Sequence, residues 1–165
     1  MKALILFAAL FFALPATSSA QFLNEYTWKS RLVIVFTPSP NDPVFVRQMQ
    51  LLQERREDFE ERNVVFLMVT PEGNHENTGL FLDEAASRRY YEYFGAAQYQ
   101  VEMVLVGLDG TEKFRAKNRV TAPSVLLTAI DGMPLRQREL LRGNTNRSQI
   151  ETQPSGEVEK RRKFE

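Results

Sequence analysis

Leu32-Val33-Ile34-Val35-Phe36-Thr37-Pro38 is an unbroken run of branched and aromatic side chains that ends in a proline-studded loop, Thr37 to Val44. So short and uniformly apolar a run has no polar face to offer water, and it predicts a strand buried on both sides. A second run, Val64 to Val69, has the same character and stops at Thr70-Pro71-Glu72-Gly73-Asn74. Between them the period changes. Val44, Met49, Leu52 and Phe59 recur among Gln, Glu and Arg at helical spacing, which predicts one amphipathic helix to about Arg62, with Asp42 as N-cap and Pro43 in its first turn. The two strands are therefore parallel, since a helix separates them. Charges between Glu54 and Arg62 read as that helix's solvated face.

The rest of the chain continues an α/β order. Asp83 to Tyr93 reads as a helix closed by Gly95, and Tyr99 to Gly107 as a strand. Leu108-Asp109-Gly110-Thr111 is a hairpin turn of the Asp-Gly type, returning through Lys113 to Ala116. Pro123 opens a last helix that is interrupted at Gly132 and restarts at Pro134. Beyond Gly143 apolar periodicity is lost, and residues 144–165 read as a disordered polar tail. Trp28 is expected to cover one end of the core. His75, the only histidine, reads as a solvated loop residue among Asn, Glu and Gly.

Composition limits the chemistry. Basic and acidic side chains number 21 each, so no overall field favours nucleic acid or anionic lipid. Met1-Lys2, an apolar stretch from Ala3 to Leu14, and Thr17-Ser18-Ser19-Ala20 have the layout of a secretory signal peptide, 1–20, too short to span a ~30 Å hydrocarbon layer. Cleavage after Ala20 leaves an exported chain, periplasmic or secreted, with no membrane attachment and a domain over 21–143. There is no cysteine. Disulfides, thiol redox catalysis and cysteine-ligated metal sites are thereby excluded. No catalytic residue, cofactor or metal site is expected.

The order strand, helix, strand, helix, hairpin, helix resembles the thioredoxin arrangement, a three-layer sandwich with a central mixed sheet flanked by helices. In a thioredoxin register Asn41-Asp42-Pro43-Val44 stands where C-x-P-C would lie. In a peroxiredoxin register Pro38 aligns with that family's proline, Asp42 with its threonine and Phe45 with its peroxidatic cysteine. Both registers lose the sulfur, so residues 41–45 form the nucleophile-free counterpart of the active-site loop. The segments Gly107-Leu-Asp109-Gly-Thr-Glu-Lys113-Phe-Arg115 and Ile130-Asp-Gly-Met-Pro-Leu-Arg136-Gln-Arg-Glu139 are similar to the paired motifs of a peroxiredoxin-like domain of unknown function, P-DUDES. That family reads roughly G-K-D-G-x-x-K-x-R and I-D-x-M-P-M-R-x-x-E, from which Leu108 and Leu135 depart. The likeness spans Phe22 to Arg142. It implies a thioredoxin-like fold found in exported bacterial proteins and in animal extracellular proteins with sushi repeats or coiled coils, with no established activity.

Two readings of the charged motif residues remain open in the sequence. In one, Asp131 caps the helix restarting at Pro134, and Glu139 pairs with Arg136, Lys113 or Arg115. In the other, Lys113, Arg115 and Arg136 form a cationic notch, with Asp131 and Glu139 beside it, that holds a carboxylate or phosphate. The function that follows is a non-catalytic module binding a protein or a small acidic ligand. The alternative is a non-thiol enzyme in which Asp42 or Glu139 acts as acid or base and Arg136 clamps an anion. A third reading is a domain that serves self-association only.

Overall fold

A computed structural model describes residues 21–73 and 82–151, the side chains of Gln21 and of 144–151 excepted. The proposed signal segment, His75 and residues 152–165 of the tail lie outside the described residues. The elements are β1 (Arg31–Phe36), α1 (Pro43–Glu54), α2 (Arg56–Glu61), β2 (Val64–Val69), α3 (Glu84–Phe94), β3 (Glu102–Val106), β4 (Glu112–Lys117), α4 (Pro123–Asp131) and α5 (Pro134–Glu151).

Among the described residues they form one four-stranded sheet, ordered β2-β1-β3-β4. β1 runs parallel to β2, with Val33 opposite Phe66, and antiparallel to β3, with Ile34 opposite Val104. The alternation of side chains along β1 therefore feeds two cores. Val33 and Val35 face Phe45, Leu52, Phe59, Leu126 and Ile130 from α1, α2 and α4. Leu32, Ile34 and Phe36 face Leu23 and the α3 aromatics Tyr90, Tyr91 and Phe94. This is a mixed sheet between two helical layers, and β1 is buried along its whole length.

Local chemistry sets the element ends. Asp83 caps α3 through a bond from the Ala86 amide, and Gly95 closes it in the left-handed region at φ 58°. In the hairpin, the Gly110 amide donates to the Gly107 carbonyl at 3.0 Å and Gly110 takes φ 74°. Asp109 needs no unusual backbone there. Its carboxylate accepts from the Thr111 amide and hydroxyl and from Lys113 Nζ at 2.7 Å.

Three features depart from the sequence expectation. The helix after Pro43 is broken at Arg55 (φ −118°) into α1 and α2. The turn lets Phe59 meet Phe66 edge-on at 5.2 Å and brings Arg62 within reach of α4. Trp28 does not cover the core: it is 69% exposed, at φ 65°, and its amide donates to Leu108 O. Phe22 and Leu23 cover that end instead, Phe22 lying 4.5 Å from the Tyr90 ring. Helix α5 continues to Glu151, past the boundary expected at Gly143. Residues 144–151 contain neither Pro nor Gly, and each further helical residue adds a backbone bond without a new nucleation cost.

Candidate functional site

The loop after β1 is where chemistry is sought in folds of this kind, because it leaves the carboxyl end of a central strand. Here it is closed by its own side chains. Asp42 Oδ1 accepts from the Val44 amide at 2.8 Å and the Phe45 amide at 3.2 Å. Those first-turn amides are the donors that would otherwise favour an anion at the helix start. Thr37 is buried and its hydroxyl donates to Ser39 O at 2.7 Å, while Ser39 Oγ accepts from the Asn41 amide. Phe45 is 5% exposed and belongs to the core.

One turn further along α1, the buried Gln48 amide holds both backbone groups of Thr121. Its Nε2 donates to Thr121 O at 3.0 Å and its Oε1 accepts from the Thr121 amide at 2.7 Å. The loop before α4 is thereby fixed against α1.

The charged motif residues divide into separate clusters. At the amino end of β1, Arg31 is 1% exposed. Its Nη1 donates to Arg62 O at 2.8 Å and its Nη2 to Glu139 at 2.9 Å. Arg136 pairs with Glu139 at 3.2 Å and with Glu61 at 2.9 Å. Arg62 grips Asp131 through two bonds of 2.8 Å. This network ties β1, the end of α2, α4 and α5 together. Hydrogen bonding from Arg62 holds the Asp131 carboxyl below its usual range. Burial pushes Glu139 up, but hydrogen bonds from Arg31 and Arg136 outweigh it and leave that group lowered as well. The Nε atoms of Arg31 and Arg136 are buried without a hydrogen bond among the described residues.

The second cluster lies on the α3 face, at the other end of the sheet. Glu102, opposite Phe36, is 0% exposed within β3. It accepts from the Ala97 amide, Gln100 Nε2 and Arg115 Nη1, with Lys117 at 3.4 Å. Burial raises the Glu102 carboxyl, and these donors more than reverse the effect. Arg115 also donates to Glu112 and to the Phe94 carbonyl.

The notch expected from Lys113, Arg115 and Arg136 is therefore not formed. Arg115 stands opposite Val104 on the α3 face, whereas Arg136 joins Arg31 on the face covered by α4 and α5. Lys113 is held by Asp109. Asp131 ends α4 and turns back to Arg62 in place of capping α5. Of the pairings read from sequence, Arg136 with Glu139 is present. Of the two acids read as partners for an Arg136 clamp, Asp42 is not placed with it, because Asp42 follows the carboxyl end of β1 while Arg136 shares Glu139 with Arg31 at its amino end. Five strand steps, about 17 Å, separate those ends. Glu139 does lie beside Arg136, at 3.2 Å, with its carboxylate bonded to both arginines. Sequence reading missed Arg31, Glu61, Arg62 and Glu102. The signal for Arg31 and Glu102 is a charge placed directly against or inside an apolar strand.

Residues 22–139 match the family described as a domain of unknown function, DUF4174. The chain belongs to that family. The DUF4174 domain is similar in structure to the reduced 2-Cys peroxiredoxin of Plasmodium vivax, with TM-score 0.56 and 16% identity over 70% of this chain and 84% of that one. It is also similar to thioredoxin peroxidase I of Plasmodium yoelii, with TM-score 0.53 and 14% identity over 70% and 79%. The fold is thus peroxiredoxin-like, in a chain without cysteine. Among the described residues no group of three His, Asp or Glu is placed to hold a metal ion, and no helix is long and apolar enough to cross a membrane.

Proposed function

We propose that the DUF4174 domain is an exported, non-catalytic binding module that keeps a peroxiredoxin-like fold without its thiol chemistry. The observation that carries this reading is the closed helix start after β1. Asp42 takes the Val44 and Phe45 amides, and buried Phe45 fills the position that the peroxiredoxin register gives to the reactive cysteine. A thiolate needs donors at that helix end to lower its pKa, and here they are already bonded. The paired motifs resemble those of the P-DUDES domains, which include exported members, and the signal-like layout of residues 1–20 supports the same reading.

The purified protein turns over neither hydrogen peroxide nor organic hydroperoxides, and Phe45→Cys alone does not restore turnover because Asp42 keeps the amides. Turnover by the wild-type chain that one substitution removes overturns the reading. Export is checked by expressing the full chain in a bacterium and weighing the periplasmic product. A mass beginning at Gln21 is expected, and an uncleaved cytoplasmic chain refutes export.

A further inference from the structure

Beside the sheet edge the structure holds a cavity of about 270 Å³ that the foregoing function does not use. Its floor is Leu52, Val64, Phe66 and Met68, with Met49 on the α1 side. Its polar lining residues, Gln53, Arg56 and Glu60, are all exposed and form the rim. β2 is one of the sheet's two edge strands among the described residues, and no neighbouring described strand closes the cavity there. An apolar interior with a polar lip at one side suits an amphiphile, its tail inside and its head at the rim. The two methionines supply walls that adjust to an irregular chain.

The rim chooses the sign of the head group. Glu60 Oε1 is already engaged by Arg56 Nε at 2.5 Å. That bond fixes the guanidinium plane and neutralises the carboxylate, while Arg56 Nη1 and Nη2 have no partner among the described residues. The remaining fork matches a carboxylate, which accepts two parallel N–H bonds. An ammonium head would first have to displace Arg56 from Glu60. The floor sets the length. Val64 to Met68 spans about 13 Å at the ~3.3 Å rise of a strand, and an extended alkyl chain advancing ~1.3 Å per carbon fills that with about ten carbons.

We infer that this pocket binds a medium-chain aliphatic carboxylate, tail along Val64, Phe66 and Met68 and head on Arg56. The inference stands on the pocket and goes beyond the reading of the loop, since a carboxylate titration and a turnover assay are separate measurements.

The test is calorimetric titration of the full mature chain with straight-chain carboxylates from butanoate to dodecanoate, each below its micelle concentration. Affinity rises about fourfold per methylene and levels off near ten carbons. Decanol binds about tenfold more weakly than decanoate, because it lacks the charge-assisted bonds. Arg56→Gln removes that preference and leaves the chain-length slope. Met49→Trp fills the cavity and abolishes binding. A readout that needs no variant is the methionine methyl NMR spectrum, in which decanoate shifts Met49 and Met68 and leaves Met103 and Met133 in place. Absence of saturable binding at every length, equal affinity for decanol and decanoate, an Arg56→Gln chain that still prefers decanoate, shifts confined to other methionines, or tighter binding of an extended apolar peptide would each overturn the proposal.

Discussion

Truncating Glu139 destabilises the fold more than removing the arginine it pairs with. Arg31 is 1% exposed and has two hydrogen-bond partners, Arg62 O and Glu139, whereas the Glu139 side chain is 37% exposed. In Glu139→Ala the guanidinium stays buried with one carbonyl and no counter-charge. Breaking a buried pair in this way costs 3–5 kcal/mol, and because Glu139 is partly hydrated the lower end applies, about 3 kcal/mol. For a domain of this size that is a fall in Tm of roughly 10 °C. In Arg31→Met the buried charge goes too. Glu139 keeps Arg136 at 3.2 Å and contact with water, so the loss is about 1 kcal/mol, set by the Arg62 carbonyl left behind. The double variant then resembles Arg31→Met alone and is more stable than Glu139→Ala. Urea unfolding followed by far-ultraviolet circular dichroism gives all three values, provided the slopes agree. If Glu139→Ala costs less than about 1 kcal/mol, or the two single effects add to within about 0.5 kcal/mol, the reasoning is wrong.

Other outcomes follow from the same contacts. Asp42→Ala lowers stability by about 1 kcal/mol through loss of the α1 cap, and Asp42→Asn by clearly less, both read from urea midpoints. Gln48→Leu keeps the volume but strands the Thr121 amide and carbonyl, costing roughly 2–4 kcal/mol; a change under 1 kcal/mol counts against the tie. Asp131, Glu139 and Glu102 all sit below the usual carboxylate range. Their contribution is therefore complete above the unfolded carboxylate value of about 4 and is lost as pH falls through the lowered folded values. Stability measured against pH stays level to about pH 5 and declines below about pH 4; Glu102→Gln, which removes one of these groups, flattens the decline.

The buried strands were legible because an apolar run has no alternative place to go, and their termini because Asp42, Gly95 and Gly110 carry the chemistry of caps and turns. Pairing of distant charges was not. Arg31 and Glu139 are 108 residues apart, and nothing local says which of several acids meets a given base. Arg115 and Arg136 look equivalent in a motif, yet the pleat sends one to the α3 face while the other, on α5, shares Glu139 with Arg31. Trp28 misled for a related reason. Aromatic side chains ordinarily seek the core, but its left-handed backbone turns it outward while Phe22 and Leu23 take the place. Glu102 would pass for a solvent-facing member of an alternating strand until α3 is known to cover that side.

The placement of the motif residues bears on where function is to be sought. Asp131, Arg136 and Glu139 bind one another, Glu61, Arg62 and Arg31 at the amino end of β1, and every one of their charges is answered by another residue of the chain. In a chain with no disulfide to join its ends, such a clamp holds the last helix onto the first strand. Residues engaged in such a clamp hold the fold together. At the carboxyl end of β1 the loop has likewise bonded its donors internally. Recognition requires groups that folding has left unsatisfied and within reach of solvent. By that criterion the Arg56 fork above an apolar cavity, and not the charged cluster at the amino end of β1, is where we propose that this domain meets a ligand.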